Sequence, residues 1–199
     1  MLSQLQSRIP RAAALLVFLL PTVTLSMVEE KMRPETYQAQ AMGQMTQLGK
    51  TFSVTINISE YSTPEERQVL VDAFLKDKSE GLFNALNKMP SKGQIKITGT
   101  LGYSISYARK IPTPDGFTIR VLTNRPVRFG ELWTDSRSSD YNLSAMELTV
   151  SKDKDKSGGV LFPACQFKIN KKTNEVEIEA FQNPWKMTNV MDRTNEGKK

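Results

Sequence analysis

From Thr51 the chain alternates strictly, with Phe52, Val54, Ile56 and Ile58 on one side and Ser53, Thr55, Asn57 and Ser59 on the other. A period of two residues is the signature of a strand with one face buried and one face wet. The period then lengthens. Ser62-Thr63-Pro64-Glu65-Glu66 reads as a helix start, with Thr63 as the cap, Pro64 at the first helical position and Glu66 three residues after the cap to complete a capping box. The spacing predicts a helix from there to about Lys76 that buries Val69, Leu70, Ala73 and Phe74. A second, shorter helix is predicted from Leu82, Phe83, Leu86 and Met89, ending before Pro90.

After Lys92-Gly93 the alternation returns and the chain reads as strands. Ile95 and Ile97 alternate with Lys96 and Thr98, and Leu101, Tyr103, Ile105 and Tyr107 alternate with small polar residues. Pro114-Asp115-Gly116 is a turn signal leading into Phe117, Ile119 and Val121. Met146, Leu148 and Val150 form a further strand, followed by the Lys-Asp-rich loop 152–159, a strand that carries Cys165, Phe167 and Ile169 on one face, and another that sets Val176, Ile178 and Ala180 against three glutamates. Short turns between such runs favour antiparallel neighbours. The expected fold is α+β: an antiparallel sheet or half-barrel of about seven strands, with two consecutive helices after the first strand packed on one face.

Ahead of this domain the pattern is different. Arg8 and Arg11 precede a run from Ala12 to about Leu25 that is almost wholly apolar, and charge returns at Glu29 and Glu30. A run of this length fits the roughly 7–15-residue core of a secretory signal and falls short of the roughly 20 residues that span a bilayer. Thr24 and Ser26 are small residues placed for cleavage before Met27. The expected organisation is therefore a signal peptide over 1–26, a flexible linker over 27–50, one domain over 51–191 and a disordered tail over 192–199. The protein is expected to be exported, to the periplasm or the extracellular space, with no stable membrane span once the signal is removed.

Composition narrows the chemistry. The chain has 27 basic and 21 acidic residues and a formal net charge of +6. Basic and acidic residues are interspersed along it, which gives no basic stripe for nucleic acid. There is no histidine. Triads built on imidazole, histidine-ligated zinc and an imidazole general base are thereby excluded. The single cysteine, Cys165, forms no internal disulfide and lies on an apolar face, so it reads as a buried hydrophobe rather than a reactive thiol. No cofactor motif is present, and no residue is assigned a catalytic or metal-binding role.

One connection is chemically unusual. Residues 124–141 hold three arginines, three carboxylates and three aromatics. Guanidinium groups grip carboxylates and phosphates in pairs of hydrogen bonds, so Arg125, Arg128, Trp133, Arg137, Asp140 and Tyr141 are the candidate ligand-binding residues. The same segment supplies the alternative, an enzyme built from Glu131, Asp135 and Asp140 with neighbouring arginines and acting on an envelope or carbohydrate substrate. Salt bridging within an ordered loop accounts for the same composition without any ligand.

Glu60-Tyr61, Lys88-Met89-Pro90, Asn124-Arg125-Pro126 and the run from Arg137 to Tyr141 together resemble a family of uncharacterised, signal-bearing bacterial proteins, over roughly residues 51–190. The resemblance implies export from a bacterial cell and brings no activity with it. The functional expectation is a non-enzymatic exported module whose partner is a small ligand or an envelope component, with its oligomeric state left open.

Overall fold

The structure, a computed structural model, describes residues 33–127, 142–170, 175–180 and 183–196. Ten strands and one helix follow in the order β1 (Glu35–Met42), β2 (Thr51–Ile58), α1 (Pro64–Lys88), β3 (Gly93–Ile97), β4 (Tyr103–Ile105), β5 (Tyr107–Thr113), β6 (Gly116–Thr123), β7 (Leu143–Ser151), β8 (Gly158–Asn170), β9 (Glu175–Ala180) and β10 (Trp185–Asp192). All strand pairs are antiparallel, in the spatial order β4-β3-β2-β1-β10-β8-β7-β6-β5, with β9 added to β8. The two ends of that order, β4 and β5, are consecutive in the chain and separated only by Ser106. One bent segment thus pairs with β3 through its first half and with β6 through its second, and Ser106 N–H donates to Leu122 O at 3.0 Å across the bend. The sheet is in this way nearly closed into a barrel.

Alternation explains which residues fill it. Val54, Ile56, Ile95, Ile119, Leu148, Leu161 and Met187 all point inward and form one buried cluster. Burying each such side chain fully stabilises the fold by about 1.5–3 kcal/mol. A second apolar layer lies outside the barrel, where α1 sets Leu70, Phe74, Leu82 and Leu86 against Tyr107, Leu143, Ala145 and Cys165. The helix therefore covers the β5–β8 side only.

The helix begins as the sequence predicts: Thr63 Oγ1 accepts from Glu66 N–H at 3.2 Å, and Glu66 Oε2 accepts from Thr63 N–H at 2.9 Å. Its N-terminus is tied to the barrel by Lys92, whose side chain is only 4% exposed and whose ammonium lies 2.7 Å from both Glu60 and Glu66. Burial alone would pull this lysine down, but the two carboxylates outweigh it and raise its pKa. Midway, Asp77 and Lys78 leave helical geometry, with Lys78 at φ 54 and ψ −139. Just after this break Ser79 Oγ donates to Phe167 O at 2.6 Å and accepts from Phe167 N–H at 3.0 Å. It takes the two backbone groups that β8 presents beyond Cys165, the last position where β7 is paired with it.

Several expectations are corrected. The α+β class with about seven strands and two helices gives way, among the described residues, to a nearly closed, ten-stranded antiparallel barrel with one interrupted α-helix. The segment at 27–50, expected as a linker, contributes β1, a central strand paired on both sides. Its inward residues are Tyr37, Ala39 and Ala41, and alanines between glutamines give too little contrast to read as alternation. Tyr107 was expected to share a face with Ile105. The bend at Ser106 instead leaves Ile105 and Ala108 in the lumen and turns Tyr107 toward α1. Val69 is exposed rather than buried, because the helix presents only its Leu70–Phe74 side to the sheet.

Candidate functional site

The barrel has a second outer face, on β4, β3, β2, β1 and β10, which no helix of the described residues covers. The register fixes what it presents. Inward positions on these strands are Tyr37, Ala39, Ala41, Val54, Ile56, Ile58, Ile95, Ile105 and Met187. The alternate positions point outward: Thr36, Gln38 and Gln40 on β1, Ser53, Thr55 and Asn57 on β2, Gln94 and Lys96 on β3, Ser104 on β4, and Lys186 and Thr188 on β10. Cross-strand rows then run Lys96–Thr55–Gln38 and Ser104–Gln94–Asn57–Thr36. Apart from the exposed Met191 opposite Gln38, these outward positions are hydroxyls, amides and lysines, without a carboxylate. A membrane-spanning barrel needs an apolar outer band, and these strands lack one.

Two hollows lie on this face. The larger, about 850 Å3, is lined from the sheet by Gln38, Gln40, Ser53, Thr55, Lys186 and Thr188 together with the apolar Val54, Met187, Val190 and Met191, and by Lys154, Asp155, Lys156 and Ser157 from the turn before β8. Its origin is a bulge. Gln38 pairs with Met191 but Gln40 pairs with Thr188, so β10 carries an extra residue there, with Asn189 in the left-handed region at φ 50. Asn189 Nδ2 donates to Gln40 Oε1 at 2.8 Å and holds the bulge. Beyond Met187, β10 has no β8 partner, and the 154–157 turn stands as the opposite wall. The smaller hollow, about 360 Å3, is lined by Asn57, Ser59, Ser91, Gly93, Gln94 and Ser104. Gly93 is required there, since a Cβ would meet Asn57 O at 2.0 Å.

Electrostatically the larger cleft is basic. Lys154, Lys156 and Lys186 stand around it against Asp155 alone. Lys156 lies 3.7 Å from Asp153, whereas Lys154 and Lys186 have no ion-pair partner among the described residues. Neither hollow has an aromatic lining residue.

A different cluster sits at the end of the barrel where β1 begins. Glu35 Oε2 accepts from the hydroxyls of Tyr37 and Tyr61, each at 2.5 Å, and Lys110 Nζ donates to both carboxylate oxygens at 2.9 and 3.1 Å. The same ammonium lies 4.0 Å from the centre of the Phe117 ring. Burial would push the Glu35 carboxyl up, but the phenol bonds and Lys110 outweigh it and hold it below the usual range. Burial and then the bond to Glu35 push both tyrosines well above their ordinary value, so they remain donors. Every partner faces Glu35. The cluster is therefore a polar plug whose hydrogen bonds all converge on Glu35.

Of the sequence-predicted site residues, only Arg125 lies within the described part. Its Nη2 donates to Gly102 O at 3.0 Å and its guanidinium lies 5.1 Å from the centre of the Tyr103 ring. The backbone beside it is pinned by a buried knot in which Ser144 Oγ accepts from Val127 N–H at 2.7 Å and donates to Pro163 O at 2.5 Å. Arg128, Trp133, Arg137, Asp140 and Tyr141 lie outside the described residues, as do Glu131 and Asp135 of the enzyme alternative. Cys165 is fully buried, and burial pushes its thiol up to about 12. Among the described residues no group of side chains is arranged to hold a metal.

Sequence reasoning missed the polar face, although half its signal was visible in the Ser-Thr-Asn side of β2. What it lacked was β1, whose pairing places Thr36, Gln38 and Gln40 beside that side. No protein-family model matches the chain, no curated protein matches it, and no solved structure matches it.

Proposed function

We propose that the protein is an exported, non-catalytic binding module that holds an extended, acidic polysaccharide on the open face of its barrel. The observation that carries this reading is the composition of the larger cleft, where hydroxyl and amide side chains are edged by Lys154, Lys156 and Lys186 against one carboxylate. Hydroxyls and amides match the hydroxyl groups of a sugar chain, and the lysines match its carboxylates or sulfates. Bases and neutral sugars are held largely by stacking, for which an aromatic platform is needed, and the lining has none. The barrel lumen is packed with side chains, which favours a surface ligand over a small apolar molecule inside.

The test is retention and calorimetry with polygalacturonate, against neutral dextran and duplex DNA of equal length. The expected result is salt-sensitive binding of polygalacturonate, none of dextran, and weaker binding of DNA. Reversing Lys154 and Lys186 to glutamate should weaken polygalacturonate by roughly tenfold, since each exposed ionic contact contributes about 0.3–1 kcal/mol and reversal adds repulsion. Binding of all three polymers alike, or no effect of the reversals, would overturn the reading.

A further inference from the structure

The end of the barrel opposite the Glu35 plug carries a second surface with a different character. The β1–β2 connection and the β3–β4 turn meet there, since Met42 pairs with Thr51, Ile97 pairs with Val54, and Thr98 N–H donates to Ser53 O at 3.2 Å. At these tips Met45 is 77% exposed, Leu48 80% and Leu101 97%. Large apolar side chains this far into solvent, clustered on the tips at one end, are not accounted for by the fold, because none of the three belongs to either buried cluster.

Among the described residues, the charges at the tips are basic. Lys50 closes the first connection, Lys186 is opposite Met42 on β10, and Arg125 is bound to Gly102 in the β3–β4 turn. Stretches 42–52, 97–104, 121–127 and 183–187 contain no aspartate or glutamate. On the nearby β8–β9 hairpin, Glu179 is engaged by Gln166 and Lys168. Apolar tips set in a ring of cations complement a surface that is apolar beneath and anionic on top.

We infer that this end of the barrel docks on an anionic lipid bilayer, inserting Met45, Leu48 and Leu101 at the interface while Lys50, Arg125 and Lys186 face the headgroups. Interfacial attachment of this kind gains from apolar burial and from cations beside anionic lipid, and it is weakened by salt. It draws on the end of the barrel and shares only Lys186 with the sugar-binding proposal, which concerns the flank. Docked by its end, the barrel leaves the Lys154–Lys156 side of that flank free.

The burial of Cys165 makes a site-resolved test simple, because a cysteine introduced at the surface is labelled selectively. Met45→Cys and Leu101→Cys, and Asp115→Cys at the turn of the opposite end, each carry an environment-sensitive fluorophore on the full-length protein. They are titrated with phosphatidylcholine vesicles containing phosphatidylglycerol and with phosphatidylcholine alone. The expected result is a blue shift and brightening at positions 45 and 101 with the anionic vesicles only, no change at 115, and loss of the response on Lys50→Glu or in high salt. Silence at 45 and 101 would overturn the inference. So would an equal or larger response at 115, the pattern produced if the apolar N-terminal segment were the part that holds the membrane, because the chain enters the barrel at the Glu35 end.

Discussion

Glu35→Gln isolates the energetics of the polar plug with little change in shape. The carboxylate is 18% exposed and accepts from Tyr37, Tyr61 and Lys110. The amide keeps one oxygen for the phenols at neutral strength and turns an NH2 group toward an ammonium. Two charge-assisted bonds are weakened, and the ion pair to the one-third-exposed Lys110 is lost at a discount because that lysine rehydrates. Together these cost about 2–4 kcal/mol. For a protein of this size each kcal/mol lowers Tm by about 2–4 °C, so thermal unfolding at neutral pH should fall by roughly 5–15 °C. Because the folded pKa of Glu35 lies below its unfolded value, its contribution is complete above the ordinary carboxylate pKa and fades as pH falls through the folded one. The gap between wild type and variant, measured by urea unfolding, should therefore shrink as the pH falls below the ordinary carboxylate value of 4.5. A gap under about 0.5 kcal/mol at neutral pH, or one unchanged across that acid range, would refute the claim that ionised Glu35 organises the cluster.

Other expectations follow from single positions. Lys78→Gly should stabilise the protein by about 1 kcal/mol in urea unfolding, since φ 54 with ψ −139 is a conformation that glycine adopts without strain. Ile56→Ala, in the fully buried lumen, should cost about 2–5 kcal/mol by the same measurement. Cys165 should not react with a thiol reagent in the folded state, and labelling should appear only at denaturant concentrations that unfold the barrel, because its sulfur is both enclosed and held protonated at neutral pH.

The strands with strong contrast were legible. β2, with isoleucine and valine against serine, threonine and asparagine, reads directly, and so does the capping box at Thr63, since both depend on residues a few positions apart. β1 was not legible, because Ala39 and Ala41 are inward only by virtue of the narrow lumen they face. β10 was hidden for another reason: its bulge at Asn189 shifts the alternation by one residue halfway along. The candidate segment 124–141 drew attention by its arginines and aromatics. The cleft on the open face is composed instead of residues from β1, β2, β10 and the 154–157 turn, each ordinary in its own stretch of chain.

Local chemistry determined, from sequence alone, the strand and helix periods, the helix start, the absence of imidazole chemistry and the burial of Cys165. Tertiary structure decided the rest. Closure depends on one bend at Ser106 that carries a segment from one edge of the sheet to the other, and no local pattern marks which edges will meet. Once closed, the barrel has an inside that must be apolar and two outsides. Which of these α1 covers is set by contacts between residues far apart in sequence, and the side it leaves bare is the side where hydroxyls, amides and lysines from four segments come together.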